Sequence, residues 1–299
     1  MRTPTRTVKS SDSGLLGTLP LEVRHEREHV SMELHAHDFS ELVIVRHGSG
    51  IHLLPGGEYP IGAGDVFVLH GDQAHGYGNT AALELVNILF RMEQLSLILR
   101  DVEALPGYHA LFTLEPAQRN RDGFCSRLRL SGEQQHKIGD RLSEWLLEQK
   151  AQAAGWQFAS VAHFMLVISD LCRFYSQAED PVAQSLLRLG TVLGHMHRHY
   201  AEHITLDDLA AIGSMSRRTL TREFTRVLGI SPINYLIHER VSRAQDLLQD
   251  SRISIAEAAY RVGFQDSNYF SRMFRAVVGH SPRDARRMTA QQPSLGTQG

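Results

Sequence analysis

In the last third of the chain, arginine, asparagine, serine and threonine recur at helical spacing beside apolar positions. Arg217, Arg218, Thr221, Arg222 and Thr225 share the face opposite Leu220 and Phe224, and Asn268, Ser271, Arg272 and Arg275 share the face opposite Phe270 and Phe274. A guanidinium can grip the O6 and N7 edge of guanine with two hydrogen bonds, an amide can do the same on adenine, and hydroxyls and guanidinium groups bind phosphate oxygens. Any one of these arginines taken alone is more often a phosphate clamp than a base reader. A second pair with chemical potential is His35 and His37. In a strand, residues two apart project to one side, so both imidazoles face the same interior.

The arginine-bearing segment occurs twice. One copy runs from Ile204-Thr205-Leu206 through Gly213 and Ser216 to Phe224, Gly229, Ser231 and Pro232; the other runs from Ile253-Ser254-Ile255 through Gly263 and Ser267 to Phe274, Gly279, Ser281 and Pro282. Gly213 and Gly263, Phe224 and Phe274, Gly229 and Gly279, and Pro232 and Pro282 all stand fifty residues apart. A repeat that keeps turn glycines, capping residues and core aromatics keeps a supersecondary unit, here a helix-turn-helix. In the first copy Leu206, Leu209 and Ala210 turn inward, Gly213 permits the turn, and Ser216 caps a helix that buries Leu220, Phe224 and Leu228. In the second, Ala258 and Ala259 turn inward, Gly263-Phe264 form the turn, and Ser267 caps a helix that buries Phe270 and Phe274. Ser231-Pro232 starts the helix that joins the copies. Two such units in one chain can reach successive major-groove segments about 34 Å apart, which makes double-stranded DNA the implied partner.

Upstream the pattern changes. Residues 1–20 read as a disordered lead-in, rich in Thr, Ser and Arg. From Leu34 to Phe90 short strands alternate with turns: Glu41–Val45 and Ile51–Leu54 flank a turn at His47–Gly50, Asp65–Leu69 follows, and Leu83–Phe90 is the last. That spacing implies a β-barrel or sandwich. Helices follow at Ser131–Gln152 and Trp156–Gln177, the latter apolar over a stripe wide enough for either a dimer interface or packing on the strands. Residues 176–180 read as a linker. The fold class is therefore α+β, with a sheet-rich domain over 21–180, an all-α domain over 185–290 and a tail at 291–299.

The chain has 299 residues, 42% hydrophobic and 21% charged, as expected of a globular protein with two cores. No uninterrupted apolar run long enough for a membrane is expected, and the polar N-terminus implies the cytoplasm. Two cysteines, Cys125 and Cys172, read as buried free thiols. Net charge is −2, yet residues 185–290 carry 15 Arg against 10 Asp and Glu, so the basic excess falls on the repeat.

The stretch Ala244 to Pro282, with Ile255-Ala-Glu-Ala-Ala259, Val262-Gly263-Phe264, Ser267-Asn268-Tyr269-Phe270-Ser271 and Gly279-His-Ser281-Pro282, resembles the signature of AraC-type transcription regulators. Residues 186–290 span that family's whole DNA-binding domain. The resemblance implies two base-reading helices, Ser216–Val227 and Ser267–Val277, with Arg218, Thr221 and Arg222 reading from one and Asn268, Ser271 and Arg272 from the other. It also implies that the second unit lies beside the promoter −35 element, where Glu257 and Asp266 could meet the sigma subunit of RNA polymerase. The other reading of these two carboxylates is stabilisation of a helix N-terminus.

The segment His35-Ala-His37-Asp38-Phe39-Ser40-Glu41, then Gly48, resembles the first cupin motif, and Gly64–Asn79 with His75 resembles the second, although His70 and Asp72 depart from it. By that resemblance His35, His37, Glu41 and His75 form one set. Three imidazoles and a carboxylate can hold a divalent transition metal or hydrogen-bond the hydroxyls of a sugar. His47, His52 and His70 read as ordinary surface or strand histidines. Residues 34–90, through His37-Asp38-Phe39, Glu41, His47-Gly48, Tyr59-Pro60-Ile61, Gly64-Asp65-Val66 and Asn87-Ile88-Leu89, are similar to the sensing domain of the rhamnose-responsive AraC-type regulators. The resemblance implies a sugar effector, L-rhamnose, held by His35, His37, Glu41, His75 and Asn87 without a required metal or other cofactor. It further implies a homodimeric activator with no catalytic residue. A metal-dependent cupin enzyme and an architectural DNA binder with no ligand response are the competing readings.

Overall fold

The computed structural model describes residues 6–8, 16, 19–92, 94–95, 101–122 and 128–291, and the chain divides into two compact units, Met1–Thr191 and Val192–Gly299. Eight strands of the first unit form a single sheet: β1 (Arg6–Val8), β2 (Leu21–Glu26), β3 (Met32–His37), β4 (Ser40–Leu54), β5 (Gly57–Gly62), β6 (Asp65–Leu69), β7 (His75–Phe90) and β8 (Leu128–Arg129). The two long strands organise it. One half of β4 pairs with β6 and the other with β5, while β7 runs antiparallel along the whole of β4 and also pairs with β2 and β3. Val43, Val45, Phe67, Leu69, Tyr77, Leu83 and Leu85 fill the interior about which the sheet curls. Alternation along β4 places Glu41 on that same inward row.

The expected turn at His47–Gly50 is corrected: β4 continues through it. Register shifts fall between Val45 and Ile51, and Gly48 takes φ +72°, where a Cβ would lie 2.1 Å from the Ala82 carbonyl oxygen. Such bulges bend a strand without ending it. The last strand likewise begins at His75, not Leu83, with Asn79 and Ala82 at positive φ absorbing the bend. Part of the expected disordered lead-in is also corrected, because Arg6–Val8 lies parallel to β3, pairing Arg6 with His35 and Val8 with His37. Most of residues 1–20, Cys125 and residues 292–299 lie outside the described residues.

Helices α1 (Pro106–His109) and α2 (Glu115–Asp122) flank a π-turn at Ala110–Leu114. Helix α3 (Gly132–Ala151) starts as expected at Ser131, whose side chain forms a capping box with Gln134, and packs on α4 (Trp156–Tyr175). By length and composition α4 could cross a membrane, with mean hydropathy 1.3, although His163, Asp170 and Arg173 interrupt its apolar run. It also carries the buried Asp170, whose carboxylate meets Lys137 at 2.9 Å, Arg141 at 2.6 Å and Arg173 at 3.7 Å. An acidic group with three cations and a row of fully buried residues, from Phe164 to Tyr175, suit a core helix. Cys172 is a buried free thiol whose pKa burial pushes above the usual range.

Helix α5 (Pro181–His199) follows the expected linker directly, and the boundary between the compact units falls within it. An unbroken row of buried residues from Ala183 to Met196 keeps it continuous. The second unit then runs α6 (Leu206–Ile212), α7 (Arg217–Leu228), α8 (Pro232–Leu248), α9 (Ile255–Arg261), α10 (Ser267–Val278) and α11 (Pro282–Gln291). Thr205 caps α6, Ser216 caps α7, Ser231 caps α8 ahead of Pro232, and Ser254 caps α9. Val227 rather than Leu228 completes the buried row of α7, one turn on from Phe224.

Candidate functional site: a buried histidine cluster and two reading helices

At one end of the sheet interior, β3, β4 and β7 bring His37, Glu41 and His75 together, with one ligand atom of each within 4.8 Å of the others and all three side chains buried. The Glu41 Oε2 atom lies 3.1 Å from His37 Nε2 and 3.5 Å from His75 Nε2. Both rings are oriented from behind: His37 Nδ1–H donates to the Phe39 carbonyl at 2.6 Å, and His75 Nδ1–H to the Gln73 carbonyl at 3.0 Å. Phe39 also stacks flat on His37, 4.1 Å between centroids. Burial works against the Glu41 charge, but the two imidazoles hold its carboxyl well below the usual range, so it is ionised.

His35 is adjacent without completing the set. It is half-buried on β3, its ring 4.4 Å from that of His75, and its Nδ1–H donates to the Glu33 carbonyl at 3.1 Å. Desolvation, then the neighbouring His75, lowers its pKa and keeps the ring neutral. Asn87 sits opposite Val43 on β4, two residues along β7 from the interior Leu85, and its Oδ1 is buried with no hydrogen-bond partner among the described residues.

Two histidines of this cluster escaped the sequence reading. His52, expected to be an ordinary strand residue, is fully buried, its ring 6.0 Å from His75 and 4.9 Å from Phe67. His29 stacks edge-on against Tyr77 at 4.6 Å, and its pKa is lowered chiefly by burial, within the fields of Glu41 and His75. The signal for His52 was its inward pairing with Tyr77, hidden until the bulge had set the register of β4. His29 lies between strands, and nothing local marks it. Beside His37 a cleft of about 450 Å³, within the usual range for small-molecule sites, is lined by Asp38, Phe39, Ser40, Asp72, Arg91 and Thr7 of β1.

In the second unit, all eight side chains expected at DNA lie on α7 and α10. Arg217, Arg218, Arg222, Asn268, Arg272 and Arg275 are exposed, and Thr221 and Ser271 half-buried. Their local states differ. Arg217 forms a two-pronged ion pair with Asp207, Arg222 meets Glu223 at 2.9 Å, and Ser271 Oγ–H donates to the Ser267 carbonyl at 2.9 Å. The Arg272 guanidinium lies over the Tyr269 ring, 5.7 Å from its centroid.

Two local readings are corrected. The cap of α10 is Asp266, not Ser267: its Oδ1 accepts from the Asn268 and Tyr269 N–H groups at 2.6 and 2.9 Å. The fifty-residue offset pairs Asp266 with Ser216, so this was legible. At the turns, Gly263 takes φ +91° and a Cβ there would lie 2.6 Å from the Ala201 carbonyl oxygen, but in the first copy the positive φ falls on Ser214, and Gly213 is small because Met215 and Val192 crowd it. Glu257 Oε1 accepts from Arg261 at 2.6 Å, so both proposed polymerase-facing carboxylates already have local partners.

A curled sheet with a buried polar cluster, followed in one chain by two helix-turn-helix units, defines a DNA-binding regulator with its own ligand-binding domain. Comparison with known proteins agrees: the AraC-like ligand binding domain matches residues 18–168, and a helix-turn-helix domain matches residues 209–288. HTH-type transcriptional activator RhaS of Escherichia coli O127:H6 is 32% identical over 255 residues, covering 84% of this chain and 86% of that protein. Among solved structures, an AraC-type regulator from Chromobacterium violaceum is 33% identical over 37% of this chain and 98% of its own, with a TM-score of 0.34. The DNA-binding domain of AdpA, in complex with a target DNA, is 33% identical over 36% of this chain and 97% of its own, also with a TM-score of 0.34. The chain belongs to the AraC-type family of transcription regulators, and it is a regulator rather than an enzyme.

Proposed function

We propose that this protein is a cytoplasmic, homodimeric transcription activator whose effector is a small sugar, L-rhamnose, bound in the sheet interior by His35, His37, Glu41, His75 and Asn87. The carrying observation is the buried Asn87 Oδ1 acceptor left without a partner in the same interior that holds an ionised Glu41 between two oriented imidazoles. Buried polar atoms are ordinarily satisfied, and a polyhydroxyl ligand supplies the donors. The homology to a RhaS activator supports the same effector class. Dimerisation is assigned to the outer face of α3 and α4, where Leu147, Phe158 and Leu166 stand 68%, 82% and 46% exposed. Arg218, Thr221, Arg222, Asn268, Ser271 and Arg272 read bases, Arg217 and Arg275 hold phosphates, and Asp266 and Glu257 meet the polymerase sigma subunit. Sugar changes transcription only by binding one state of the protein better than the other.

A metal ion in the same cluster is the second reading, favoured by proton bookkeeping. Because both Nδ1–H groups are given to backbone carbonyls, the contacts to Glu41 are hydrogen bonds only if each ring carries two protons. Otherwise two Nε2 lone pairs and a carboxylate converge, which calls for a cation. Ligands about 2.0–2.1 Å from a tetrahedral ion stand roughly 3.3 Å apart, close to the 3.1 and 3.5 Å found here.

A thermal-shift screen of pentoses, hexoses and deoxyhexoses, with and without chelator, tests both. The expected result is a shift with L-rhamnose that chelator leaves unchanged; a chelator-sensitive shift favours the metal, and no shift with any sugar overturns the sugar reading. In a reporter assay, Glu41→Ala with His75→Ala is expected to abolish the L-rhamnose response while DNA affinity stays within a few-fold. Full sugar-dependent activation by that variant would place the pocket elsewhere.

A further inference from the structure

The end of α5 and the loop after it carry four histidines within nine residues, His195, His197, His199 and His203, and the helix sorts the first three. His197 turns inward, its Nε2 2.9 Å from the Tyr235 hydroxyl, and serves as a core histidine. His195 and His199, four residues apart, share the outer face with their rings 4.4 Å between centroids and 25° from parallel. A histidine pair at that spacing presents two imidazole nitrogens to one point in space, the arrangement helical zinc sites use.

Three features make the pair a prepared ligand set. Glu202 Oε1 accepts from His199 Nδ1–H at 2.8 Å, which orients the ring and leaves Nε2 as the nitrogen open to an ion. His195 lies within the electrostatic reach of Glu202 and Asp208, and Asp208 within that of His195 and His203. Asp208 uses Oδ2 in the Thr205 capping box, and its Oδ1 makes no hydrogen bond among the described residues.

We propose that His195 and His199, with the Asp208 carboxylate as third ligand and Glu202 orienting the His199 ring, form a binding site for a divalent transition metal of the zinc class. The site joins three successive segments: the last turn of α5, the loop at 200–205 and the first turn of α6. A bound ion clamps α6, the leading helix of the first helix-turn-helix unit, to the helix before it. The site shares no residue with the sheet interior and stands whether or not a sugar binds there.

The test is calorimetric titration of zinc chloride into the untagged full-length chain and into its His195→Ala/His199→Ala variant. The sheet interior is intact in both, so their difference isolates this site. The expected result is one fewer zinc equivalent in the double variant, and at least a tenfold weaker equivalent in His199→Ala alone. Far-UV circular dichroism establishes that the half-exposed positions were changed without unfolding, and His195→Gln is the alternative should the double variant not fold. Equal stoichiometry and affinity in wild type and variants, or no zinc binding by the wild type, overturns the proposal.

Discussion

In the first helix-turn-helix unit Arg217 faces Asp207, and Arg222 and Arg226 both lean on Glu223, whereas in the second Arg272 lies over the Tyr269 ring and Arg275 has no ion pair among the described residues. The backbones repeat closely: α7 and α10 are twelve residues each, each ends at a glycine in the left-handed region, and each buries a phenylalanine at the same position. What diverged is the charge around the cations. A guanidinium already facing a carboxylate gains less from a phosphate, because the approaching anion meets a partly neutralised partner and Asp207 must be displaced or tolerated. Helix α10 offers Arg272 and Arg275 without that competition, although Arg261 of α9 pairs with Glu257. One supersecondary plan thus supports a self-paired surface and an open one.

The comparison is broken most severely from the core. Phe224 and Phe274 are both fully buried, but Phe274 belongs to a cluster with Phe264, Phe270, Ala258 and Val262, while Phe224 meets Tyr235 edge-on at 5.5 Å. Truncating either to alanine is expected to cost about 3–5 kcal/mol. Denaturant unfolding followed by circular dichroism reads the loss, and a cost below about 1 kcal/mol at either site would mean that its unit does not rest on the shared aromatic.

Acid should separate the helices around the first unit next. Burial, then Arg243, pushes His197 down to about 4. The nearby Glu239 carboxylate, 3.5 Å away, does not restore the charge because it is already held by Arg243 at 2.6 Å. The folded pKa lies below the unfolded value near 6.5, so the unfolded chain takes up the proton first. Stability is therefore complete above pH 6.5 and falls as pH drops toward 4, by about 3 kcal/mol at most for a shift of this size. Unfolding midpoints measured from pH 7 to 4 should show this slope in wild type and a shallower one in His197→Gln. Parallel slopes would assign the acid sensitivity to other groups.

DNA binding sharpens the difference in charge. Arg272→Ala and Arg218→Ala are expected to cost about 1–3 kcal/mol and relax preference at a single base position if each arginine reads guanine. Arg217→Ala should cost less than Arg275→Ala and change the salt dependence less, since Asp207 already offsets its charge. Losing one full phosphate contact lowers the salt slope by roughly 0.9. Gel-shift titrations at several salt concentrations measure both quantities. Equal slopes for Arg217→Ala and Arg275→Ala would show that the ion pair opens freely on DNA.

The repeat, its cores and its outward residues were legible because helix period and capping chemistry are local. The fifty-residue offset even contained the Asp266 cap, obscured by the neighbouring serine at 267. His37, Glu41 and His75 were legible through motif spacing. His52 was not, because its place depends on pairing between β4 and β7 across three register shifts, nor was His29, which lies between β2 and β3 and is placed by its backbone bond to the Leu83 carbonyl. The continuity of β4 was hidden for the same physical reason: a glycine inside a strand looks like a turn until its partner strand is known. Likewise, the Asp207–Arg217 pair spans two helices, and no single-helix pattern contains it.

The smallest expected effect falls on Asp266, where the two units can be compared cap for cap. Ser216 Oγ accepts from the Thr219 N–H at 3.1 Å, and Asp266 Oδ1 accepts from two N–H groups, so both residues close a reading helix. Those backbone hydrogen bonds hold the Asp266 carboxyl below its usual pKa, and the resulting charge also suits the helix N-terminus. Ser216→Ala is expected to cost about 1 kcal/mol and to weaken operator binding and transcription together, as cap loss does. If Asp266 also meets the polymerase sigma subunit, Asp266→Ala must lower transcription further than occupancy. Asp266→Asn separates the roles, since the amide oxygen still caps but the charge is gone. Footprinting beside a reporter assay is expected to show near-normal occupancy with reduced transcription for Asp266→Asn. Full transcription by that variant would leave Asp266 a cap alone, the acidic counterpart of Ser216.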